Sequence, residues 1–374
     1  MFNYGMINRS LNRAPVLIAV LICIIFLLFW SLPNPRYVAM GKKQSTVVGS
    51  RVDAVQNQTL GFERVFYLSL PSRPDKRDYI TLASSVLDFN AEPMDGVFPD
   101  DVDTKAHPAN WGPNLLPAEF GTWRGHLNVM QRIVRDRISS ALIMEDDADW
   151  DVNLKKQLQG FASASRSVQY GNGAPHSPYG DDWDILWLGH CGINCRPGPI
   201  HVSPDDITIV PVHRLPPYYR NPPPGSANNT RVVCRAEGGV CTLGYAITYL
   251  GAQKLLSALS LTPEGGGAPF DLALSRYCQT GWLKCIAPYP SILGVWRPAG
   301  PLSRQSDIHS VDGYQEKEAP MGAVYSTMYN MHRILAGETT VHAVVEDTAI
   351  PELDPSHFKV PNGTLKFFDE NGLH

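Results

Sequence analysis

Residues 141–149 read Ala141-Leu142-Ile143-Met144-Glu145-Asp146-Asp147-Ala148-Asp149. A short apolar run that ends in acids predicts a buried β-strand emerging at the edge of a sheet. In open α/β sheets this edge is where ligands bind, because the loops after the strands line a crevice there. Carboxylate oxygens suit Mn²⁺ or Mg²⁺, and such a cation can bridge the diphosphate of a nucleotide. A solvated acidic turn is the alternative interpretation.

Strand and helix patterns alternate on both sides of this stretch. Short apolar or β-rich runs occur at 65–70 and 183–189. Apolar side chains at helical spacing predict helices over 117–139 and 249–260. The alternation predicts an α/β sandwich, in which a mixed sheet carries helices on both faces.

The composition describes a globular body behind a distinct N-terminal segment. The body of about 310 residues is long enough for one large α/β domain or two smaller ones. The net charge is -4 at pH 7, so the chain lacks the basic footprint of a nucleic-acid-binding protein. We therefore expect no nucleic-acid partner.

The first 61 residues predict a membrane anchor: a cytosolic tail at 1–15, a transmembrane helix at 16–32 and a flexible stem at 33–61. The span contains 17 residues without a charge, and Arg9 and Arg13 precede it. These features favour a single-pass type II anchor with a cytosolic N-terminus. A span this short suits the thinner membranes of the endoplasmic reticulum or Golgi. A cleaved signal peptide is the alternative.

Cysteines and sequons agree with a body that faces the lumen. Outside the span, six cysteines remain, grouped along the chain as Cys191/Cys195, Cys234/Cys241 and Cys278/Cys285. An even number suits disulfides in an exported domain, although the spacing leaves the connectivity open and reduced core cysteines are the alternative. N-glycosylation sequons stand at Asn57, Asn228 and Asn362.

A basic turn follows the first predicted strand and contains Arg73, Lys76 and Arg77. These cations can provide counter-charge to a phosphate or contact a ribose, or they form ordinary soluble surface. In the helix at 117–139, Gly121 and Gly125 lie one turn apart, which predicts that a ligand or a neighbouring element approaches that face closely.

Two polar residues of the same helix share a face. Glu119 and His126 are seven residues apart, which is two helical turns. They are candidates for ligand contacts. The alternative is a polar pair packed at the end of a helix.

The order of these motifs resembles that of glycosyltransferase family 25, which includes bacterial lipooligosaccharide galactosyltransferases and animal procollagen galactosyltransferases. The resemblance extends from about residue 62 to residue 308. Its motifs are R-x-D-K-R, E-x-M-D-G-V, L-x-P-x-E-x-G-x-x-x-G-H-L, A-L-I-M-E-D-D, W-D-I-L-x-L-G, G-Y-A-I-T-Y-x-G-A-x-K-L-L, P-F-D and S-D-I.

The resemblance implies a GT-A type domain, a UDP-sugar donor and transfer with inversion at the anomeric carbon. Glu145, Asp146 and Asp147 match the E-D-D motif of the family, with Asp147 as the manganese ligand. Asp149 gives a second D-x-D spelling that the family does not regularly show, and we include it as a second metal candidate. We assign the basic turn and the acids before Asp147 to nucleotide binding.

The helix motif of the family matches Glu119, Gly121 and His126. This chain departs from the family at Gly125, where members commonly have Ser, so a hydroxyl contact is lost there. Asp271, in P-F-D, matches an acid near the acceptor side of the family's site.

Inversion requires in-line attack by an acceptor hydroxyl and a general base that receives its proton. A carboxylate suits this role, and Asp271 is the candidate. The alternative is that Asp271 caps the helix that begins with residues 272–274.

The expected protein is a metal-dependent inverting glycosyltransferase. Its GT-A-like domain occupies 62–310, and residues 311–374 form a C-terminal extension. It transfers a hexose, galactose by the resemblance, from a UDP-sugar to a glycan or glycoprotein acceptor in the secretory pathway. One alternative is an inactive lumenal carbohydrate-binding or adhesion protein on the same fold. Another is a metal-dependent lumenal hydrolase that uses the same carboxylates.

Overall fold

The computed structural model describes residues 51–374 except for 109, 113–114, 171–173, 216–221, 262–266, 310 and 346–347. The sequence-predicted tail at 1–15, the anchor at 16–32 and the stem up to residue 50 lie outside the described residues. Among the residues that are described, no helix is both long and apolar enough to cross a bilayer.

The centre of the structure is a ten-stranded mixed sheet. Its strands are β1 Arg64–Ser69, β2 Glu92–Asp95, β3 Ser140–Glu145, β5 Ile185–Gly189, β6 Gly192–Ser203, β7 Arg231–Val240, β8 Gly244–Thr248, β9 Cys285–Tyr289, β15 Thr364–Asp369 and β16 Gly372–Leu373. The order across the sheet is β16-β15-β6-β7-β9-β5-β8-β3-β1-β2. Three two-stranded pairs use β4 Ala148–Trp150, β10 Leu293–Val295, β11 Gly300–Pro301, β12 Tyr314–Gln315, β13 Val341–His342 and β14 Glu352–Leu353.

The first part of the sheet is parallel and the rest is mostly antiparallel. β1 lies between β2 and β3 and runs parallel to both. β8 then pairs antiparallel with β3 and with β5, while β5 and β9 are parallel. The mixed α/β architecture expected from the sequence is therefore confirmed.

The helices are α1 Pro74–Val86, α2 Pro117–Asp136, α3 Leu154–Ser167, α4 Tyr249–Ser260, α5 Phe270–Gln279 and α6 Met331–Leu335. Proline begins α1 and α2, where its missing N–H removes no hydrogen bond. α2 stops three residues before the predicted end, because Arg137 adopts a left-handed conformation with φ 56°.

Two hydrophobic cores lie on opposite faces of the sheet. Alternate residues of β3 join different cores: Ala141 and Ile143 pack in one, Leu142 and Met144 in the other. The first core contains side chains of α2, α4 and α5, and the second contains side chains of α1 and α3. Both faces of the sheet are thus covered by helices.

The body is larger than the predicted domain of 62–310. Residues 51–61, assigned to the stem, pack on it: Val55 and Leu60 are fully buried. At the other end, β15 pairs with β6 and extends the main sheet. The described residues from 51 onwards form one compact unit, so the described part of 311–374 belongs to the body.

Three disulfides join Cys191 to Cys241, Cys195 to Cys234 and Cys278 to Cys285. Only Cys278–Cys285 joins two cysteines that are grouped together in the sequence. Each of the other two bonds joins a cysteine of the group at 191 and 195 to one of the group at 234 and 241. The first two bonds connect the start of β6 to β7 and to the turn after it.

Candidate functional site

A cavity of about 340 Å³ lies beside the carboxyl ends of β1 and β3. This volume falls within the range of small-molecule sites. One end is charged and is lined by Lys76, Glu145, Asp146, Asp147 and Asp307. The other end is largely apolar and is lined by residues of β1, the 96–99 loop and α2. The cavity therefore joins a charged region to an apolar slot.

The parallel pairing of β1 and β3 explains why these residues meet. Its register places Leu68 beside Glu145, so both strands end at the same edge of the sheet. The chain then turns, and the Trp296 backbone N–H donates to the Asp147 carbonyl oxygen at 2.7 Å. The acids therefore lie at the strand tip, as the sequence predicted.

Lys76 is the central cation of the charged end. It is only 5 % exposed, and its Nζ lies 2.8 Å from carboxylate oxygens of both Asp146 and Asp307. Burial by itself would lower the pKa of Lys76, but the charges of Asp146 and Asp147 outweigh it and raise that pKa. Lys76 is therefore a fixed positive charge at this end of the cavity.

Arg73 is held next to this pair, whereas Arg77 is directed elsewhere. The Arg73 guanidinium donates to Asp75 at 2.8 Å and to Asp307 at 2.6 Å. Hydrogen bonds to these carboxylates raise its pKa. Arg77 instead binds Asp95 at 2.6 Å and is not among the residues that line the cavity. Of the three cations of the basic turn, only Lys76 lines the cavity, and Arg73 is connected to it through Asp307.

One carboxylate oxygen of Asp147 has a hydrogen-bond partner and the other has none. Its Oδ2 accepts from Arg297, while its Oδ1 is buried and has no hydrogen-bond partner. Within the residues that the structure describes, no three His, Cys, Asp or Glu side chains converge to hold a metal. Mg²⁺ in nucleotide sites is commonly held by one or two carboxylates together with the phosphates and water. The unpartnered Oδ1 fits such a site.

Glu145 lies deeper than the other acids. Thr242 Oγ1 donates to Glu145 Oε1 at 2.9 Å. Burial, followed by the charge of Asp147, raises the pKa of Glu145 to about 8. Burial and the neighbouring carboxylate charges thus both favour the protonated form of Glu145.

Asp149, the second metal candidate, is not at the cavity. It is fully buried in β4, and its carboxylate accepts from Ser326 Oγ and from the Trp150 backbone N–H. Burial raises its pKa to about 6. The chain has turned after Asp147, so the alternate spacing of the two acids does not bring them to one ligand. Asp149 instead binds the 326–328 segment.

Of the two polar residues in the helix motif, Glu119 and His126, only one lines the cavity. Glu119 accepts the Leu116 N–H at 2.7 Å and so stabilises the start of α2. It does not line the cavity, whereas His126 does.

The two glycines of α2 line the cavity for different reasons. A Cβ added at Gly121 would overlap the Val97 carbonyl oxygen, so this glycine permits close approach of the 96–99 loop. A Cβ at Gly125 would meet only Leu68 Cδ2, at 3.5 Å. Gly125 therefore contributes open space.

His126 is fully buried, stacks on Phe270 with ring centroids 4.0 Å apart, and has its Nδ1 3.0 Å from the Tyr245 hydroxyl. Its Nε2 has no partner. Burial lowers the pKa of His126 to about 3, so the ring is neutral.

Asp271 lies in the first turn of α5, and the residue that caps this helix is Pro269. One Asp271 oxygen accepts the Cys241 N–H at 2.8 Å. Its charge is close enough to raise the pKa of Glu145, after larger contributions from burial and Asp147. Asp271 is not a lining residue of the cavity. It is half-buried at the turn that also carries Thr242.

Three neighbours of the cavity were not assigned roles from the sequence. Asp307 belongs to the S-D-I motif, whose role was unclear, and Tyr245 belongs to G-Y-A-I-T. Arg297 follows the buried β10 strand and could have been noticed as a cation at a strand end, but nothing local pairs it with an acid 150 residues earlier.

No family model matches this chain. Among curated proteins, it is 24 % identical to procollagen galactosyltransferase 1 of Danio rerio over 216 residues and 23 % identical to procollagen galactosyltransferase 2 of Mus musculus over 228 residues. These matches cover 54 % and 57 % of this chain and 30 % of each relative.

A third relative is the inactive glycosyltransferase 25 family member 3 of Homo sapiens, 23 % identical over 215 residues, which are 54 % of this chain and 30 % of that protein. The resemblance to glycosyltransferase family 25 is thereby confirmed. The chain spans about a third of the length of these relatives. A crystal structure of mannose-1-phosphate geranyltransferase from Thermus thermophilus superposes at a TM-score of only 0.25 with 8 % identity, so it informs neither fold nor site.

Proposed function

We propose that this chain is an inverting glycosyltransferase that transfers a hexose from a UDP-sugar to a glycoprotein or glycan. The observation that carries the proposal is the cavity at the tips of β1 and β3, in which a buried lysine faces acids at the end of the E-D-D run. Galactose is the proposed hexose because relatives named as galactosyltransferases resemble the chain.

The two ends of the cavity suit different parts of such a donor. Lys76 lines the cavity and would provide positive charge for the diphosphate, while Arg73 would add charge from behind, through its ion pair with the lining residue Asp307. The apolar slot along α2 suits the uncharged remainder of the donor. Arg77 pairs with Asp95 and Glu119 accepts the Leu116 N–H. Neither lines the cavity, so we assign them no contact with the donor.

A divalent cation, Mn²⁺ or Mg²⁺, is part of the proposal. Asp147 would hold it through the unpartnered Oδ1 and Asp146 lies next to it. When bound, the cation would neutralise charge on the departing diphosphate. Because Asp149 is fully engaged in the interior, we do not retain it as a ligand.

The proposed reaction is a single displacement. The acceptor hydroxyl oxygen bonds to the anomeric carbon, the bond from that carbon to the UDP oxygen breaks, and its electron pair leaves with UDP. The hydroxyl proton passes to a carboxylate. We propose Asp271 for this role, because it is a partly exposed acid beside the turn that holds Glu145.

The proposed location is the lumen of the endoplasmic reticulum or Golgi. Three disulfides support an oxidising compartment. The single-pass anchor remains part of the proposal from the sequence, since 16–32 lies outside the described residues.

An inactive binding protein is the second candidate. It is favoured by the similarity to an inactive member of family 25. In that case the cavity would bind a nucleotide or glycan without turnover.

The test measures binding and turnover separately. Calorimetry with UDP and Mn²⁺ reports binding, and UDP release from a panel of UDP-sugars, with glycoprotein acceptors, reports transfer. We expect Asp147→Asn to abolish Mn²⁺-dependent UDP binding. Asp271→Asn should keep UDP affinity and reduce turnover at least tenfold, the order of effect of losing a general base.

Several outcomes discriminate between the candidates. Unchanged UDP binding by Asp147→Asn would remove the metal assignment, and more than a tenth of wild-type turnover by Asp271→Asn would remove the base. Binding without UDP release by the wild-type protein would favour the inactive candidate. UDP release that occurs equally without any acceptor would favour a hydrolase. Asp181→Asn, at an exposed loop position, serves as the control for a lost charge.

A further inference from the structure

The apolar slot contains one polar group that the proposed chemistry does not yet use. His126 lines the cavity and is fully buried. Its Nδ1 is 3.0 Å from the hydroxyl of Tyr245, a fully buried residue of β8. Its second ring nitrogen, Nε2, is buried without a partner. Buried polar atoms in proteins almost always have a hydrogen-bond partner, so such an atom beside a cavity indicates a ligand.

Hydrogen-bond accounting selects the tautomer of this histidine. The contact with Nδ1 is the hydrogen bond that the structure gives the Tyr245 hydroxyl. If Nδ1 carried the proton, it would donate to the phenol, and the phenol proton would be left buried without an acceptor. If the phenol donates to Nδ1, only the Nε2–H lacks a partner. Each arrangement leaves one buried donor unsatisfied, but the first also leaves the Nε2 lone pair without a donor. The second arrangement therefore leaves fewer buried polar groups unsatisfied and is favoured.

Both groups keep their protons over the physiological range. Burial lowers the pKa of His126 to about 3. Burial, together with the charge of Glu145, raises the pKa of Tyr245 well above its usual value. His126 therefore offers a neutral N–H, which differs chemically from the ammonium of Lys76 at the charged end.

We propose that Tyr245 is a positioning residue that fixes the Nε2–H tautomer of His126, and that this N–H binds an uncharged oxygen of the nucleotide-sugar donor. The inference rests on the proposed function and deepens it. Two parts of the donor provide such an oxygen: the nucleoside, through its base carbonyls or ribose hydroxyls, and the transferred sugar, through its hydroxyls.

The surroundings support an uncharged acceptor. Phe270 stacks against the imidazole, and Leu68 and Gly125 line the same part of the cavity. None of these side chains carries a positive charge, so a phosphate oxygen buried against them would lack a counter-charge, which is costly. An uncharged oxygen needs only the one donor that His126 offers.

The first test is the tautomer itself, observed by ¹⁵N NMR of histidine-labelled protein, with the His126 signals assigned through their loss in His126→Gln. In the wild type we expect protonated Nε2 and unprotonated Nδ1. In Tyr245→Phe we expect a mixture of both tautomers. A wild-type His126 protonated at Nδ1, or an unchanged spectrum in Tyr245→Phe, would overturn the positioning role.

The second test is affinity, measured by calorimetry with uridine, UDP and UDP-galactose. Loss of one neutral hydrogen bond corresponds to roughly three- to tenfold weaker binding, and we expect this for UDP-galactose in Tyr245→Phe and His126→Gln. Tyr179→Phe is the matched control, because Tyr179 is also fully buried and donates its hydroxyl proton to the Leu60 carbonyl at 2.6 Å, away from the cavity.

The three ligands distinguish the sources of the oxygen. Weakened uridine binding identifies an oxygen of the nucleoside, and weakened binding of UDP-galactose alone identifies a hydroxyl of the transferred sugar. Equal affinities of wild type and both variants for all three ligands would overturn the ligand contact. Failure of the wild type to bind any of them would instead overturn the proposed function, while the NMR experiment would still decide the role of Tyr245.

Discussion

Lys76 illustrates how a single residue organises the charged end of the cavity. It is buried and pairs with acids that come from β3 and from the 306–308 segment. A buried charge is tolerated only when it is paired, and removal of one partner leaves the other uncompensated. Lys76 therefore serves both the folded state and the proposed diphosphate site.

We expect Lys76→Met to lose about 3–5 kcal/mol of stability, because Asp146 is left buried without its cation, and to lose UDP affinity. Lys254→Met is the control, since Lys254 pairs with the buried Asp184 at 2.7 Å, away from the cavity. Chemical denaturation and calorimetry measure the two effects. If the control variant lost UDP affinity to the same extent, the loss would reflect general destabilisation.

Residues of the site could be predicted where several charged side chains stand close together in the sequence. The acids at 145–147 and the basic turn stand directly after strands, so their meeting at one sheet edge follows from parallel pairing. The same reasoning could not separate Asp147 from Asp149, because a turn after the strand reverses the direction of the side chains. Asp307 and Arg297 approach from distant segments, which no local pattern encodes.

At the scale of elements, α2 shows what periodicity predicts well. Its apolar stripe identified the helix and its buried face, and Pro117 marked its start. The pattern did not reveal that Arg137 ends the helix, nor that Glu119 stabilises its start rather than binding a ligand. The sheet order was also beyond the sequence, since antiparallel β8 inserts between β3 and β5 through long-range contacts.

Replacing the two glycines of α2 by alanine should change the stability of the fold in opposite directions. Gly121→Ala should destabilise the fold by about 1–2 kcal/mol, because overlap with the Val97 carbonyl outweighs the helical preference of alanine. Gly125→Ala should stabilise it by up to about 1 kcal/mol, because its Cβ meets only an ordinary contact with Leu68. Urea denaturation of both variants measures the difference. Equal free energies of unfolding would show that the 96–99 loop moves away from the added Cβ without loss of stability.

At the scale of the whole molecule, the disulfides differ in what they join. Cys191–Cys241 closes a separation of 50 residues, whereas Cys278–Cys285 closes 7. The longer bond also holds the turn whose Cys241 N–H donates to Asp271 and whose Thr242 donates to Glu145. This disulfide therefore cross-links the body and also holds in place the turn that contacts Asp271 and Glu145.

Replacing Cys191 and Cys241 together by Ala should cost about 3 kcal/mol, because with Cys195–Cys234 intact this bond closes only the 191–195 and 234–241 segments. Replacing Cys278 and Cys285 should cost about 2 kcal/mol by the same chain-entropy relation. We further expect turnover to fall more in the first variant, because the turn beside Asp271 is released. Thermal unfolding and UDP release check both statements. Equal losses of turnover in the two variants would contradict a link to the site.

The hydrogen bond from Ser326 to Asp149 has a consequence for truncated forms of the protein. Asp149 stands two positions after the proposed metal ligand, and Val152 and Thr327 continue the same backbone pairing between the two segments. A protein cut at residue 310 would expose the buried carboxylate of Asp149, close in sequence to the proposed metal ligand, and leave the outer edge of β6 bare. Tail mutations would then mimic active-site mutations, although they touch no substrate.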